Sequence, residues 1–228
     1  MEQLVLDLGL APMPTLANFV PDGNEPAWEH LRLWVQAQPR PPLPIYCWGP
    51  PGSGKTHLLR AVAQSLLGQG ESVGWLGAEV TRPAPFDERW AAVLLDDVQL
   101  YTAAQQAAAF NWFVNAQSPA VGPQRAVLAC GDRPPADLPL REDLRSRLGW
   151  GHVFQLRPLD EPARRAVLRR AADARGIALS DEVMDFMLNR FARDLSSLMA
   201  LLDRLDGYAL RTQRAITIPL VRAMLAAE

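Results

Sequence analysis

The chain has 228 residues, a formal net charge of −2 and a hydrophobic content of 49%, which is typical of a globular protein with one large domain or two smaller ones. A charge so close to zero excludes a protein that coats nucleic acid through a general basic surface. The sequence also lacks an apolar run of membrane-spanning length and the basic start of a signal peptide, so we expect a cytoplasmic protein that has no membrane partner.

The N-terminal residues 1–14 carry an alternating apolar pattern. Leu4, Leu6 and Leu8 stand two residues apart, which is the period of a β-strand. From this pattern alone, the segment is either an added strand of the main sheet or a peptide that binds a partner. With Gln3 before the leucines, it resembles the short peptide by which many replication and repair proteins dock on the bacterial sliding clamp. That resemblance implies polar contacts by Gln3 and three leucine anchors, each worth about 1.5–3 kcal/mol when buried.

The next segment combines a turn and a helix. Residues 21–24 have the composition of a turn, and Trp28 and Val35 then belong to an apolar pattern at helical spacing. Before the turn, Phe19 and Val20 either line the base pocket of a nucleotide site or are ordinary packing residues. The sequence pattern leaves these two interpretations open.

A complete phosphate-binding motif, G-x-x-x-x-G-K-[ST], occupies residues 49–56. The apolar run 43–48 before it predicts a strand, and the apolar spacing of 57–67 after it predicts a helix, which is the context that this motif requires. The glycines let backbone N–H groups converge on phosphate oxygens, and the helix N-terminus adds unpaired N–H groups and its positive dipole end. The alternative is a turn rich in glycine and proline that matches the motif by chance.

The motif predicts a site for ADP or ATP together with Mg²⁺. We expect Lys55 to reach the β- and γ-phosphates and Thr56 to hold the Mg²⁺. The expected nucleotide-binding residues of this segment are Gly49, Pro50, Pro51, Gly52, Ser53, Gly54, Lys55, Thr56 and His57.

Two carboxylates, Asp96 and Asp97, follow the apolar run 90–95. A run without alternation is typical of a strand that is buried on both faces of a parallel sheet, and ligands bind at the carboxyl ends of such strands. We therefore predict that Asp96 holds the Mg²⁺ through water and that Asp97 orients or activates the attacking water. The alternative is an acidic turn after a core strand.

A third polar strand end is Asp132, which follows the apolar run 126–131. In P-loop ATPases a polar group at this place senses the γ-phosphate, and Asp132 is the candidate here. An Asn, Ser or Thr is commoner in that role. An Asp would repel phosphate unless it acted through water or an arginine.

The remaining apolar patterns of the sequence predict an α/β domain followed by a helical domain. Strand-like and helical runs alternate up to residue 156, which predicts a P-loop domain with a parallel sheet. From residue 161 onward the sequence has the pattern of amphipathic helices. The predicted parts are a clamp-binding tail at 1–14, an α/β P-loop domain at 15–159 and a small all-helical lid domain at 160–228.

The first helix of the predicted lid is rich in arginine. These side chains form either a basic docking face or a solvated helix surface that Glu161 and Asp173 balance, and the second interpretation is favoured. The arginines are Arg164, Arg165, Arg169, Arg170 and Arg175.

Together and in this order, the phosphate loop, the Asp-Asp strand end, the polar strand tip, the Ser-Arg-Leu-Gly-Trp-Gly segment at 146–151 and the helical lid resemble the AAA+ ATPases of the bacterial replication-initiator (DnaA) group. Gly-Lys-Thr-His-Leu-Leu at 54–59 and Leu-Leu-Asp-Asp-Val-Gln at 94–99 are especially similar to that group. The resemblance implies that Arg147 is an arginine finger that acts on the nucleotide of a neighbouring subunit. It also implies that Arg193, at the start of the third lid helix, contacts the nucleotide of its own subunit.

The sequence departs from the initiators because it carries a clamp-type peptide and no helix-turn-helix DNA reader after the lid. This combination resembles the Hda family of regulators. That resemblance implies that the β sliding clamp of DNA polymerase III, loaded on DNA, recruits the protein to the DnaA initiator. The initiator then hydrolyses its ATP and is inactivated. The resemblance further implies bound ADP, self-association as a homodimer, and contact with DNA mainly through the clamp.

Two other functions remain open. One is a stand-alone ATPase of the helicase-loader (DnaC) type, since the phosphate loop and both carboxylates are present, although we expect intrinsic hydrolysis to be weak. The other is a structural adaptor that nucleotide merely stabilises. The N-terminal peptide and the Gly149–Gly151 segment argue against the loader. For Arg147, the structural alternative is an ion pair with Asp143, and an exposed pair of that kind contributes about 0.3–0.5 kcal/mol.

Overall fold

The computed structural model describes residues 13–191, 195–212 and 214–226. Its contacts divide them into two compact units, Pro14–Pro158 and the described part of Leu159–Glu228. Two sets of predicted site residues lie outside the described residues. These are the peptide residues Gln3, Leu4, Leu6 and Leu8, and Arg193.

The first unit alternates strands and helices along the chain. Short 3₁₀ turns at Val98–Leu100 and Pro135–Asp137 follow two of its strands. The strands are β1 (Ile45–Trp48), β2 (Ser72–Leu76), β3 (Trp90–Leu95), β4 (Ala126–Gly131) and β5 (His152–Gln155). The helices are α1 (Glu25–Gln36), α2 (Lys55–Gly68), α3 (Ala103–Gln117) and α4 (Glu142–Leu148).

All five strands belong to one parallel sheet with the order β2-β3-β4-β1-β5. The central strands are buried on both faces, which explains why the sequences of β3 and β4 are apolar without alternation. Trp48 pairs with Gly131 and Leu95 pairs with Ala129, so β1, β3 and β4 end close together. The predicted α/β fold with a parallel sheet is confirmed.

Neighbouring residues of each central strand supply two separate cores, one on each face of the sheet. On one face, Cys47 and Leu128 pack with α1 and α2. On the other face, Tyr46 and Val127 pack with α3 and α4. The helices therefore cover both faces and leave the strand ends as the place where loops and polar side chains gather.

The second unit is helical over its described residues. Its helices are α5 (Glu161–Ala174), α6 (Asp181–Phe191), α7 (Leu195–Thr212) and α8 (Ile218–Ala226). Their apolar faces enclose a core in which Leu168, Met184, Leu198 and Val221 are fully buried. This confirms the predicted all-helical segment after the sheet. None of the described helices, in either unit, is long and apolar enough to cross a membrane.

The arginines in and after α5 include three that are balanced by carboxylates, and these carboxylates belong to the helices that follow α5. Arg165 pairs with Asp185 of α6, and Arg175 lies 2.6 Å from Asp203 of α7. Arg169 likewise pairs with Asp181, at 2.5 Å. These pairs join neighbouring helices, so three of the arginines have direct carboxylate partners on the next helices, and Glu161 adds to the field at Arg165. Their charge is therefore committed within the unit.

Asn24, which immediately precedes α1, joins that helix to the end of β5. Only 2% of its surface is exposed. Its side-chain amide donates to the carbonyl oxygen of Arg157 at 2.9 Å, and its Oδ1 accepts the N–H of Arg157 at 2.7 Å. One side chain thus satisfies both main-chain groups of a residue that is 133 positions away in the sequence.

Asn24→Ala should lower the free energy of unfolding by about 1–3 kcal/mol, because two main-chain groups lose their partners in a part-buried setting. Urea unfolding monitored by tryptophan fluorescence measures this loss. Asn111→Ala, at an exposed position of α3, is the matched control and should have little effect. Equal stabilities of the two variants would contradict this account of Asn24.

Candidate nucleotide site

The phosphate loop connects β1 to α2, and three glycines determine its path. Gly52 and Gly54 have φ angles of 79° and 89°, which L side chains rarely adopt. At Gly49 a Cβ atom would overlap the carbonyl oxygen of Leu156. The Gly49 N–H donates to Gly131 at 3.2 Å, which fastens the start of the loop to the end of β4. The loop is therefore held close to the sheet by contacts that only glycine allows.

Two polar side chains of the loop are buried. Lys55 is 7% exposed, and its ammonium group donates to the carbonyl oxygens of Gly49 at 2.8 Å and Pro50 at 3.0 Å. Ser53 is 4% exposed, and its hydroxyl has no hydrogen-bond partner among the described residues. A buried hydroxyl without a partner is costly unless a ligand completes it. A buried cation, this hydroxyl and the N-terminus of α2 fit the phosphates of a nucleotide.

Thr56 and Asp96 connect the loop to β3. The Thr56 hydroxyl donates to Asp96 Oδ1 at 3.1 Å, and Asp96 is 5% exposed. Burial, helped by the nearby charge of Asp97, outweighs the lowering effects of the Thr56 hydroxyl and Arg60, and the net result raises the pKa of Asp96 to about 6. A hydroxyl and a carboxylate at one point are oxygen ligands of the kind that Mg²⁺ prefers.

The described residues contain no group of three His, Cys, Asp or Glu side chains that would hold a metal ion. Mg²⁺ typically keeps several waters and binds through one or two carboxylates plus substrate phosphates. The pair formed by Thr56 and Asp96 fits that mode of binding, in which the protein alone does not complete the coordination shell. Residues Thr56 and Asp96 are thus suited to Mg²⁺ only in company with a phosphate ligand.

A residue that sequence analysis missed, Gln99, links the two other strand ends. Its amide nitrogen donates to Asp97 Oδ1 at 3.1 Å, and its Oε1 accepts the N–H of Asp132 at 3.2 Å. Asp97 itself adopts a left-handed conformation with a φ of 50°, which is uncommon outside glycine. Gln99 therefore fixes the Asp97 carboxylate relative to the end of β4. Its place in the Leu94–Gln99 motif was the available signal.

Asp132 is paired with an arginine. Its carboxylate accepts hydrogen bonds from Arg133 at 2.8 and 2.7 Å, and this pairing holds the pKa of Asp132 below its usual range. Asp132 is therefore charged at neutral pH, with a cation beside it. From the sequence, we expect an Asp at this position to act on a phosphate only through water or an arginine, and Arg133 is such an arginine.

Phe19 lies against the phosphate loop. A Cβ atom on Gly54 would stand 2.7 Å from Phe19 Cε2, and the Phe19 ring centroid lies 5.5 Å from that of His57. His57 Nε2 lies 3.1 Å from the carbonyl oxygen of Thr15, and burial lowers the pKa of this histidine. The aromatic ring thus closes over the loop from the N-terminal side. Val20 follows it in a half-buried position.

Arg147 lies on α4 and faces aromatic rings. Its guanidinium carbon is 4.8 Å from the ring centroid of Trp150, 5.2 Å from that of Phe110 and 5.9 Å from that of Phe113. Asp143, the partner of Arg147 in the structural alternative, instead pairs with Arg141 at 2.6 Å. The structural alternative for Arg147 therefore does not hold.

The structure brings most of the predicted site residues of the first unit together. Hydrogen bonds and close contacts link the phosphate loop to Asp96, to the end of β4 and to Phe19, and Gln99 links Asp97 to Asp132. Arg147 stands apart from this group, because its ring contacts are with α3 and Trp150. The unit therefore has two separate features. One is a cluster of groups that can hold phosphates, and the other is an arginine that can act on a different anion.

Comparison with known proteins agrees with this architecture. A family model described as "Hda, lid domain" matches residues 160–225. An uncharacterized protein of Haemophilus influenzae is 34% identical to the chain over 232 residues, which covers 98% of each protein.

Solved structures of replication initiators share the fold. Domain III of the Thermotoga maritima initiation protein DnaA superimposes with a TM-score of 0.77 at 22% identity, covering 96% of this chain and 98% of that one. AMPPCP-bound DnaA from Aquifex aeolicus has a TM-score of 0.68 at 23% identity, covering 89% of this chain and 70% of that one. At this level of identity the likeness establishes the fold.

The buried Asp96 predicts an unusual dependence of stability on pH. Because its pKa is higher in the folded chain than in an unfolded one, the folded state binds the proton more tightly, and stability falls as pH rises from about 4 to about 6. Asp96→Asn keeps an acceptor for Thr56 and removes the charge. It should raise the free energy of unfolding at pH 7 by about 1–3 kcal/mol, with no gain near pH 4.

Urea unfolding at pH 4, 5 and 7 measures this difference in the absence of nucleotide. Asp132→Asn is the control with the opposite sign, because the pKa of Asp132 is lowered and its charge is favourable in the folded state. A gain in stability for Asp96→Asn that is the same at pH 4 and pH 7 would contradict the assignment.

A double-mutant cycle with Asp97→Ala and Gln99→Ala tests the link between the strand ends. The half-buried hydrogen bond to a charged group should give a coupling free energy of about 1 kcal/mol. The cycle is measured by urea unfolding at pH 7. Additive effects of the two substitutions would mean that Gln99 does not hold Asp97.

Proposed function

We propose that this protein is a nucleotide-binding regulator of the replication initiator. The proposal starts from two findings. The chain belongs to one family with the Haemophilus influenzae protein, and it is a DnaA-like AAA+ protein that resembles Hda. With the sliding clamp loaded on DNA, it promotes ATP hydrolysis by DnaA and so inactivates the initiator. The partners are DnaA and the β clamp of DNA polymerase III, and DNA is contacted mainly through the clamp. The setting is cytoplasmic.

The proposed cofactor is ADP or ATP with Mg²⁺ at the phosphate loop. The AMPPCP-bound state of the similar Aquifex aeolicus DnaA supports this choice, as do the buried Lys55 and the partnerless hydroxyl of Ser53. Lys55 and the loop N–H groups would hold the phosphates, and Thr56 and Asp96 would hold the Mg²⁺. When bound, the nucleotide supplies the anionic oxygens that complete these groups. Arg193 would contact the same nucleotide from the helical lid.

The observation that carries the regulatory role is the state of Arg147. By its place in the segment 146–151, Arg147 corresponds to the arginine finger of the DnaA group, which acts on the nucleotide of a neighbouring subunit. Its guanidinium is held by neutral rings, so its charge is available to an anion outside the chain. A finger supplied in trans accelerates hydrolysis by about 10³–10⁵ in related systems, which corresponds to about 4–7 kcal/mol.

Hydrolysis of the chain's own nucleotide is proposed to be weak. The candidate for activating water is Asp97, and one of its carboxylate oxygens already accepts a hydrogen bond from Gln99. An arginine finger for this chain's own nucleotide would have to come from another subunit, since Arg147 faces α3 and Trp150. A homodimer is one source of such a subunit.

Recruitment is assigned to the N-terminal peptide. Gln3 would make polar contacts with the clamp, and Leu4, Leu6 and Leu8 would fill its apolar site. A few leucines, less the cost of association, give modest affinity for one site. A clamp ring with several identical sites strengthens the attachment by avidity if the protein self-associates.

Arg147→Ala should abolish the stimulation of DnaA. We expect the rate of phosphate release from ATP-loaded initiator, with clamp on DNA, to fall by about 10³-fold or to the unstimulated rate. The free energy of unfolding should change by only about 0.5–1 kcal/mol, because the substitution removes only cation–π attraction at a half-exposed position. Arg145→Ala is the matched control, because Arg145 lies on the same helix, two residues before Arg147, and its loss leaves the pair of Arg141 with Asp143 in place.

Undiminished stimulation by Arg147→Ala would exclude Arg147 as the finger. If wild-type protein did not stimulate DnaA but hydrolysed ATP alone, the chain would be a stand-alone ATPase of the helicase-loader type. Leu4→Ala combined with Leu6→Ala separates recruitment from chemistry, because it should remove the dependence on clamp and leave Arg147 intact.

A further inference from the structure

Arg147 is held differently from the arginines of the described residues that form ion pairs. Nine others are paired with carboxylates, whereas Arg147 is paired with none of the described carboxylates and lies among three aromatic rings. The paired arginines are Arg32, Arg40, Arg89, Arg125, Arg133, Arg141, Arg165, Arg169 and Arg175.

We propose that Trp150 is a positioning residue for Arg147: its indole, together with the rings of Phe110 and Phe113, holds the guanidinium in place without neutralising it. This inference rests on the proposed function, in which Arg147 acts on the nucleotide of the initiator. It adds that the reach and orientation of the finger are set by an aromatic seat, defined as Phe110, Phe113 and Trp150.

The chemistry of the seat suits an arginine that must bind an anion. A ring face attracts the guanidinium through its quadrupole and carries no net charge. The N–H donors of the guanidinium therefore remain available for phosphate oxygens, which they contact with a planar fork. A carboxylate partner would occupy the same donors and cancel the charge. The contacts of 4.8–5.9 Å lie within the range of cation–π attraction.

The loop that carries Trp150 is fixed by the backbone. The Trp150 N–H donates to the carbonyl oxygen of Arg147 at 3.2 Å, so the two residues share one turn. At Gly151, a Cβ atom would overlap the carbonyl oxygen of Pro44, which presses the loop against the start of β1. The indole also meets the Phe113 ring edge to face, at 6.4 Å and 89°. Backbone and ring contacts thus both fix the indole.

Trp150 is nevertheless 60% exposed. Exposure on this scale is unusual for a tryptophan whose only task is to fill a core. The indole contacts the guanidinium and the Phe113 ring and leaves most of its surface exposed, as expected for a residue beside a charge that must reach a partner. Asp143, one helical turn before Arg147, is kept away from it by Arg141, which binds that carboxylate at 2.6 Å.

The test measures ATP hydrolysis by the initiator over a range of concentrations of this protein. It yields two quantities, the maximal rate and the concentration of this protein that gives half of the maximal rate. Trp150→Ala should lower the maximal rate about 10-fold and leave the half-saturating concentration within about 2-fold. Trp150→Phe, which keeps a ring face, should restore most of the rate. Leu67→Ala removes a half-exposed apolar side chain elsewhere in the unit and should match wild type.

A second readout does not depend on the initiator. In the isolated protein, ring currents should shift the Nε–Hε resonance of Arg147, assigned with Arg147→Lys, and Trp150→Ala should move that resonance by removing the nearest of the three rings. If the resonance did not move, Trp150 would not be positioning Arg147. A higher half-saturating concentration with an unchanged maximal rate would also overturn the inference, because Trp150 would then be a docking residue. If wild type failed to stimulate while the shift was present, the proposed function would fail and the seat would stand.

Discussion

The candidate nucleotide site depends on the parallel register of β1, β3 and β4, which brings their carboxyl ends to one edge of the sheet. Gly49, Asp96 and Asp132 directly follow those strands, so residues far apart in sequence become neighbours. The bond from Thr56 to Asp96 then ties the helix after the phosphate loop to β3. An antiparallel strand in the middle of this sheet would send one of these groups to the opposite edge.

Charge is used in two opposite ways in the same unit. At the sheet edge, Lys55 and Asp96 are buried, and each has polar partners that a phosphate and Mg²⁺ would supplement. At α4, Arg147 keeps its charge half-exposed on neutral rings. The first arrangement suits tight retention of a ligand by this chain, and the second suits action on an anion that belongs to a partner.

The sequence predicted what depends on local pattern, and missed what depends on tertiary contacts. The spacing of apolar residues predicts the strands and helices, and the positions of the glycines predict the phosphate loop. Both signals are contained within a few neighbouring residues. Gln99 was missed because one of its two hydrogen-bond partners, Asp132, lies 33 positions away in the sequence. No local pattern specifies a contact over that distance, whereas the other partner, Asp97, is only 2 positions away. The alternative pair of Arg147 with Asp143 has the correct helical spacing, but Arg141 pairs with that carboxylate and an aromatic ring of α3 contacts Arg147.

The central claim is that the chain causes hydrolysis of a nucleotide held by another protein. The most direct measurement is a single-turnover assay in which DnaA carries γ-labelled ATP, this protein carries unlabelled ADP, and clamp is loaded on DNA. The account predicts that labelled phosphate is released faster when this protein is added, up to the amount of ATP-loaded DnaA. If the labelled ATP stayed intact while the chain hydrolysed unlabelled ATP given to it, the account would be contradicted.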